Sequence, residues 1–320
     1  MRATLFALTF TALAAPAAGA PLLTFPVDCT LGDTCFIQQY MDHDPGPGFR
    51  DFKCNARSYN THKGTDFAVP TARDAQAGVD ILAAASGTVL GTRDGMADVW
   101  GGEINADAIK GRECGNGLVI DHGDGWQTQY CHMQNGSLAV KKGDLVQAGT
   151  VLGQIGMSGR TQFSHLHLSV RKDGAPIDPF APDGAQCNAP ITETLWDETP
   201  LFQAGGILDI GFADHVPEFT DIKMGVADRR LTARSNALVS FVYLFGGKAG
   251  DEVTLTFSGP DGFDVEQAYE LPKSLAQFFR AVGKKRKSES WPVGSYVAKA
   301  TLTRDGEILD TQQSTFQITQ

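Results

Sequence analysis

Two histidines stand two residues apart in the short apolar run Phe163-Ser164-His165-Leu166-His167-Leu168-Ser169-Val170. A strand repeats its side-chain direction every second residue, so both imidazoles point to one face while Leu166 and Leu168 point to the other. Alone, such a pair is more commonly a half-buried surface pair than a metal site. Upstream, His62-Lys63-Gly64-Thr65-Asp66-Phe67 puts another imidazole four residues before a carboxylate, with a glycine between them that lets the backbone turn tightly. Imidazole nitrogen and carboxylate oxygen are both zinc ligands, and three protein ligands with one open position describe a catalytic zinc. A further imidazole, His132, closes Tyr130-Cys131-His132-Met133 at the end of an alternating stretch that starts at Trp126.

Taken with the block Gly115-Asn116-Gly117-Leu118-Val119-Ile120-Asp121-His122-Gly123, these segments fall in an order and spacing that resemble the lysostaphin/LytM-type zinc endopeptidases. That family carries His-x-Gly-x-Asp, a Gly-Asn-x-Val-x-Ile-x-His-Gly block, Tyr-x-His and a terminal His-Leu-His, and the likeness covers roughly residues 58 to 182. The resemblance implies a Zn2+ held by His62, Asp66 and His167, with His132 and His165 as unligated histidines beside the metal's water. One of the two would take the water's proton, and the other would stabilise the oxyanion or protonate the leaving amine. A zinc with two neutral imidazoles and one carboxylate keeps positive charge and lowers the pKa of water at its open position toward ~7. His122 follows the family's strand pattern without being one of its ligands and is read as structural. The chain departs from the pattern at Ser158-Gly159-Arg160-Thr161-Gln162-Phe163-Ser164, where the family's Gly-Pro element is missing, so the groove wall before His165 differs while the ligand set stays intact.

Positioning such a set calls for a sheet, and the pattern from Asp80 onward is β. Ile81 to Ala85, Gly87 to Leu90, Leu118 to Ile120, Trp126 to Met133, Val140 to Val146 and Gly149 to Gly156 are short strands separated by Gly-rich turns. Thr92 to Glu113 is polar and aperiodic and reads as a long loop rimming the site, where substrate selection would lie. Beyond the turn formers at Asp173 to Pro179, residues 183–200 read as a linker. Residues 201–320 show alternating runs such as Ala237 to Leu244, Glu252 to Phe257 and Tyr296 to Leu302, which suggest an immunoglobulin-like β-sandwich. Within it Leu275 to Val282 has a weak helical period, and Lys284-Lys285-Arg286-Lys287 reads as a solvated loop. The expected fold is therefore all-β: an antiparallel-sheet LytM-like catalytic domain at 58–182, then the sandwich.

Met1-Arg2, an apolar stretch from Leu5 to Ala15 and an Ala/Gly/Pro tail read as a signal peptide over residues 1–20, too short to span a bilayer. Residues 21–57 then form an N-terminal extension pinned by disulfides rather than a domain, in which His43 and Asp44 read as a solvated loop before they read as a latency element. The six cysteines form an even set behind an export signal, so disulfides are expected. Cys114 and Cys131 flank a hairpin turning at Gly123-Asp124-Gly125 and make the first pair, Cys29 with Cys35 closes a small loop, and Cys54 with Cys187 ties the ends of the catalytic domain together.

Against 27 basic residues stand 37 acidic ones, so nucleic acid is not an expected partner. The resemblance implies a hydrolase of peptidoglycan stem or cross-link peptides; the export signal and the disulfide-rich catalytic domain fit an oxidising periplasm, which makes the bond from D-alanine to meso-diaminopimelate the first choice. No transmembrane segment remains after signal removal, and the C-terminal domain is a possible site for a protein partner. Two alternatives stand beside this: a catalytically silent LytM-like regulator or wall-binding protein, and a glycyl-glycine endopeptidase acting on other bacteria. Regulators of that type typically lose metal ligands, whereas this chain retains all three and both unligated histidines.

Overall fold

The computed structural model describes residues 19–101, 107–185, 187 and 190–319. The signal peptide expected at 1–20 lies outside this span except for its last two residues, as does part of the loop expected to rim the site. Among the described residues no helix is long and apolar enough to cross a membrane.

Ten strands build the N-terminal two-thirds: β1 Phe36–Gln39, β2 Thr65–Ala68, β3 Asp80–Leu82, β4 Gly87–Arg93, β5 Asn116–Gly123, β6 Trp126–Met133, β7 Leu145–Val146, β8 Val151–Gln154, β9 His165–Lys172 and β10 Ala175–Ile177. Seven of them form one antiparallel sheet in the order β1-β2-β9-β6-β5-β4-β7, with β10 added on β9 and β3 paired to β8 alongside. Strand β9 lies between β2 and β6, and the register sets Asp66 against His167 and His167 against Cys131. One residue along, Phe67 faces Leu166 and Tyr130 faces Leu168. The period of two therefore sorts the sheet into a functional face and an apolar face whose Phe67, Leu166, Leu168 and Tyr130 are at most 1% exposed.

The N-terminal extension enters this sheet. Phe36–Gln39 pairs with β2 as its edge strand, and Ile37 and Tyr40 sit in the same core as Phe67. The stretch expected to be a linker is packed as well: Leu23 and Asp197 form a backbone ladder around Leu195 and Trp196, both buried against the core. The three disulfides are Cys29–Cys35, Cys54–Cys187 and Cys114–Cys131, the pairs expected from the sequence. His43 is not solvated, because its Nε2 meets the buried Asp178 carboxylate at 2.6 Å, and it is not one of the residues in the group able to hold a metal ion. This contact fastens the extension to the segment that follows β10.

The C-terminal module contains β11 Gly206–Ala213, β12 Ala237–Gly247, β13 Glu252–Ser258, β14 Asp264–Glu270, β15 Leu275–Lys285, β16 Gly294–Arg304 and β17 Glu307–Ile318. They form two sheets, β11-β12-β15 and β14-β13-β16-β17, around a core that includes Leu238, Val242, Val253, Leu255, Phe257, Tyr296 and Leu302. The fourth strand pairs with the third, whereas the constant-type immunoglobulin arrangement keeps it in the first sheet. Leu275–Lys285 is a strand and not a helix, and Lys284 and Lys285 close its ladder with β12 instead of forming a loop. Alternation is blurred in β15 because both faces are covered: Phe278 and Val282 face the sandwich core, while Phe279 and Ala281 pack toward Phe219–Met224, which is helix α2 after the short α1 Ala72–Gln76. For the same reason every residue of β12 is buried.

The outer face of the β11-β12-β15 sheet meets the seven-stranded N-terminal sheet. Phe36 and Phe245 rings lie 4.5 Å apart, and the Arg57 guanidinium sits 4.9 Å above Phe245 while donating to the Ile37 carbonyl at 2.6 Å. Gln38 donates to the Ala276 carbonyl and accepts from Gln277 at 3.0 and 2.8 Å. Phe163, one turn before β9, joins Phe36, Ala68, Phe245 and Leu208 in a small shared cluster.

Candidate metal centre

Three donor atoms converge on the functional face where β2, β9 and the turn before β2 meet. His62 Nε2 lies 3.1 Å from Asp66 Oδ1 and 3.1 Å from His167 Nδ1, and the last two are 2.8 Å apart. Ligands 2.0–2.2 Å from a tetrahedral zinc stand about 3.3–3.6 Å from one another, so this triangle needs to open only by a few tenths of an ångström. His62, Asp66 and His167 are the group able to hold a metal ion among the described residues.

The rings are aimed by hydrogen bonds on their far sides. His62 Nδ1–H donates to the Tyr40 carbonyl at 2.7 Å, which leaves Nε2 with its lone pair toward the cluster. His167 reaches the cluster through Nδ1, and its Nε2 meets the Ser169 hydroxyl at 3.0 Å, two residues along the same strand face. Gly64 makes room for this ring: a Cβ there would stand 2.8 Å from His167 Nε2 and 2.4 Å from the Leu168 carbonyl. Its φ is outside the left-handed region, so its contribution is absent bulk rather than the tight turn its position suggested.

The other two histidines are brought to the same place. His165 Nε2 is 3.5 Å from Asp66 Oδ1, and the His132 ring is centred 4.7 Å from the His165 ring. Strand alternation would send His132 to the apolar face with Tyr130. Its φ of +64° breaks the alternation and delivers the ring to the functional face, an uncommon conformation for a residue with a Cβ. It is held there by its backbone N–H to the Cys114 carbonyl and by Nδ1–H to the Ser158 carbonyl, both 2.8 Å. His165 Nδ1 lies 2.9 Å from the Phe163 carbonyl and 3.0 Å from Thr161 Oγ1, while the Phe163 ring stacks on it at 4.3 Å. A carbonyl only accepts, so Nδ1 carries the proton in both rings and each Nε2 is left as an acceptor.

Electrostatics follow from burial and this crowding. Burial pushes the Asp66 carboxyl up, but the charges of His62 and His165 and the hydrogen bonds from His167 and His62 hold it well below the ordinary carboxylate range. Burial lowers His62, and Asp66 more than reverses this. Burial holds His132 well below the ordinary imidazole value, reinforced by His165 and His167, and it lowers His165 too. The pair that would handle protons is thus neutral at neutral pH.

Of the remaining sequence candidates, His122 bridges the Ser86 carbonyl and the Thr128 hydroxyl, 2.8 Å from each, on the β5–β6 hairpin. His215 pairs with Asp214 on the sandwich surface. Sequence reasoning passed over Tyr59, whose ring stacks on His62 at 4.3 Å and is 48% exposed, and over the anchors Tyr40, Ser158, Thr161 and Ser169. Tyr59 and Ser169 sit three before and two after a site histidine, a proximity that spacing could have shown. Tyr40 and Ser158 act through main-chain carbonyls, which leave no mark on residue type.

The fold and cluster define an antiparallel β-sheet domain with a three-donor group able to hold a metal ion, flanked by two further imidazoles. Residues 60–179 match the family model of peptidase family M23, and this segment is an M23 domain of the LytM type. The chain is 31% identical over 134 residues to a peptidoglycan DD-endopeptidase, ShyB, of Vibrio cholerae, a match covering 42% of this chain and 25% of that protein. It is 30% identical over 126 residues to the DD-carboxypeptidase/endopeptidase Mpg of Neisseria meningitidis, covering 39% and 23%. The chain thus spans about a quarter of the length of these curated relatives. A solved zinc-containing peptidase from Vibrio cholerae aligns with 27% identity over 46% of this chain and 39% of that one, at a TM-score of 0.29.

Proposed function

We propose that the chain is an exported zinc-dependent endopeptidase that hydrolyses peptide cross-links of bacterial peptidoglycan, with the bond from D-alanine to meso-diaminopimelate as its substrate. The observation that carries this reading is the convergence of His62 Nε2, Asp66 Oδ1 and His167 Nδ1 beside two neutral imidazoles that keep their Nε2 lone pairs. Its relatives' names supply the substrate class, and three disulfides using all six cysteines suit an oxidising periplasm.

In this reading His62, Asp66 and His167 would hold the zinc, whose chemistry is to polarise the scissile carbonyl and acidify water. His62 and His167 stay correctly turned because Tyr40 and Ser169 engage their outer nitrogens. Either His132 or His165 would accept the water's proton at its Nε2 lone pair and return it to the leaving amine, while the other could stabilise the developing oxyanion only in the form that carries a proton on Nε2 as well as on Nδ1. The Ser158 carbonyl for His132, and the Phe163 carbonyl with Thr161 for His165, stabilise the imidazolium that forms, because each receives its Nδ1–H.

Digestion of sacculi of the diaminopimelate type with the full-length protein, followed by mass analysis, tests this. Uncross-linked muropeptides released by the wild type and not by His167→Ala are the expected result. Cleavage of pentaglycine alone replaces the substrate assignment. Full zinc loading without hydrolysis of either wall type turns the protein into a binding module.

A further inference from the structure

The segment Ser158 to Thr161 lies between the two unligated histidines and holds both. The Ser158 carbonyl takes His132 Nδ1–H at 2.8 Å, and Thr161 Oγ1 lies 3.0 Å from His165 Nδ1. Ser158 and Thr161 are buried, whereas Arg160 between them is exposed. The arginine's main chain is fixed by its N–H to the Glu113 carbonyl at 2.8 Å. Gly159 before it, at φ +79°, is packed so closely that a Cβ would meet the same carbonyl at 2.3 Å. The root of this side chain is therefore as firmly placed as the histidines are.

Its guanidinium, by contrast, has no hydrogen bond or ion pair among the described residues. The adjoining carboxylate, Glu113, instead accepts from Gly111 N–H at 2.9 Å. A planar five-donor cation is thus rooted in the segment that holds both unligated histidines, in a protein of formal net charge −10, where an acidic substrate is otherwise repelled.

We propose that Arg160 is a carboxylate-binding residue of the substrate groove that selects peptides carrying a free carboxylate next to the scissile amide. This rests on the endopeptidase reading and deepens it. In a cross-link from D-alanine to meso-diaminopimelate, the carbon bearing the leaving nitrogen also carries a carboxylate. A glycine bridge has no charged group at that place. A bidentate pair between guanidinium and carboxylate both holds and orients that side of the bond.

The test uses full-length, zinc-loaded protein and two cross-linked peptide dimers that differ only in this carboxyl group, one free and one a carboxamide. For Arg160→Ala, kcat/KM on the free dimer is expected to fall about 10- to 100-fold, the worth of a charged hydrogen bond, while the carboxamide dimer is cleaved as by the wild type. Arg160→Lys restores part of the loss, and zinc content and melting temperature stay at wild-type values. Equal loss on both dimers, or loss on neither, overturns the assignment. Should the wild type cleave neither dimer, the endopeptidase reading fails, and calorimetric binding of the two dimers to wild type decides the arginine's role separately. Tighter binding of the free dimer that disappears in Arg160→Ala sustains it, and equal affinities refute it.

Discussion

Gly64→Ala puts the geometry of the metal cluster to a direct test, because two physical effects predict opposite signs. At a glycine whose φ lies outside the left-handed region, alanine ordinarily stabilises by about 0.4–1 kcal/mol through the unfolded chain. At this site the new Cβ would stand 2.4 Å from the Leu168 carbonyl and 2.8 Å from His167 Cε1 and Nε2, where ordinary contact begins at 3.4 Å. The carbonyl belongs to β9, which is paired on both sides by β2 and β6 and cannot retreat by the required ångström, so β2 or the imidazole must move. Overpacking of this kind costs about 1–3 kcal/mol, which outweighs the entropic gain. Either displacement also pulls His167 Nδ1 away from Asp66 and His62, leaving two donors where zinc requires three. Denaturant unfolding of the metal-free protein reads the first effect, and zinc titration against a competing chelator reads the second. A variant as stable as the wild type to within about 0.5 kcal/mol and with unchanged zinc affinity would show that the ring does not lie where these contacts place it.

Ser169→Ala removes the partner of His167 Nε2. Loss of such an outer hydrogen bond weakens metal binding by about 10- to 100-fold, and the lower end is expected because the His167 side chain is 16% exposed and water can substitute; chelator competition measures it. Asp209 on β11 is raised to about 6 by burial and then by Asp228, with Asp74 adding and Arg73 opposing. Its folded-state pKa exceeds the unfolded one, so its contribution to stability is present below pH ~4 and is lost as pH rises through about 6. Asp209→Asn should accordingly stabilise the protein by about 1 kcal/mol at pH 8 and leave it unchanged or weaker at pH 4; unfolding curves that differ equally at both pH values would contradict this. A fragment of residues 201–320 should fold alone, since its two sheets enclose a core drawn entirely from its own residues, and it should bind hydrophobic dye through the uncovered Phe245 and Leu208. A random-coil spectrum from that fragment would refute it.

What the sequence made legible divides along a physical line. His62, Asp66, His132, His165 and His167 could be picked out because side-chain chemistry at fixed spacing is written in residue types. The cysteine pairs followed from hairpin register and chain ends. Tyr40 and Ser158 hold their histidines through carbonyls that any residue owns, so no pattern marks them. The left-handed turn at His132 is equally silent, since it breaks an alternation that otherwise runs cleanly through β6. Edge strand β1 and strand β15 were missed because each is covered on both sides, which erases the period of two: Phe36–Gln39 is buried at all four positions, and β15 faces α2 as well as the sandwich core.

The bond from His62 to the Tyr40 carbonyl has a consequence for how this domain can be moved between proteins. Family likeness begins at residue 60, yet the oxygen that turns the first imidazole comes from residue 40, and the strand that seals the sheet edge ends at residue 39. A gene fusion or truncation cut at the border of likeness would carry every donor atom and still deliver a chain with an open sheet edge and an unaimed ring. The structural unit in this chain is therefore longer than the segment that matches the family model. Shuffling must bring the preceding peptide along, or supply a substitute strand from the new host.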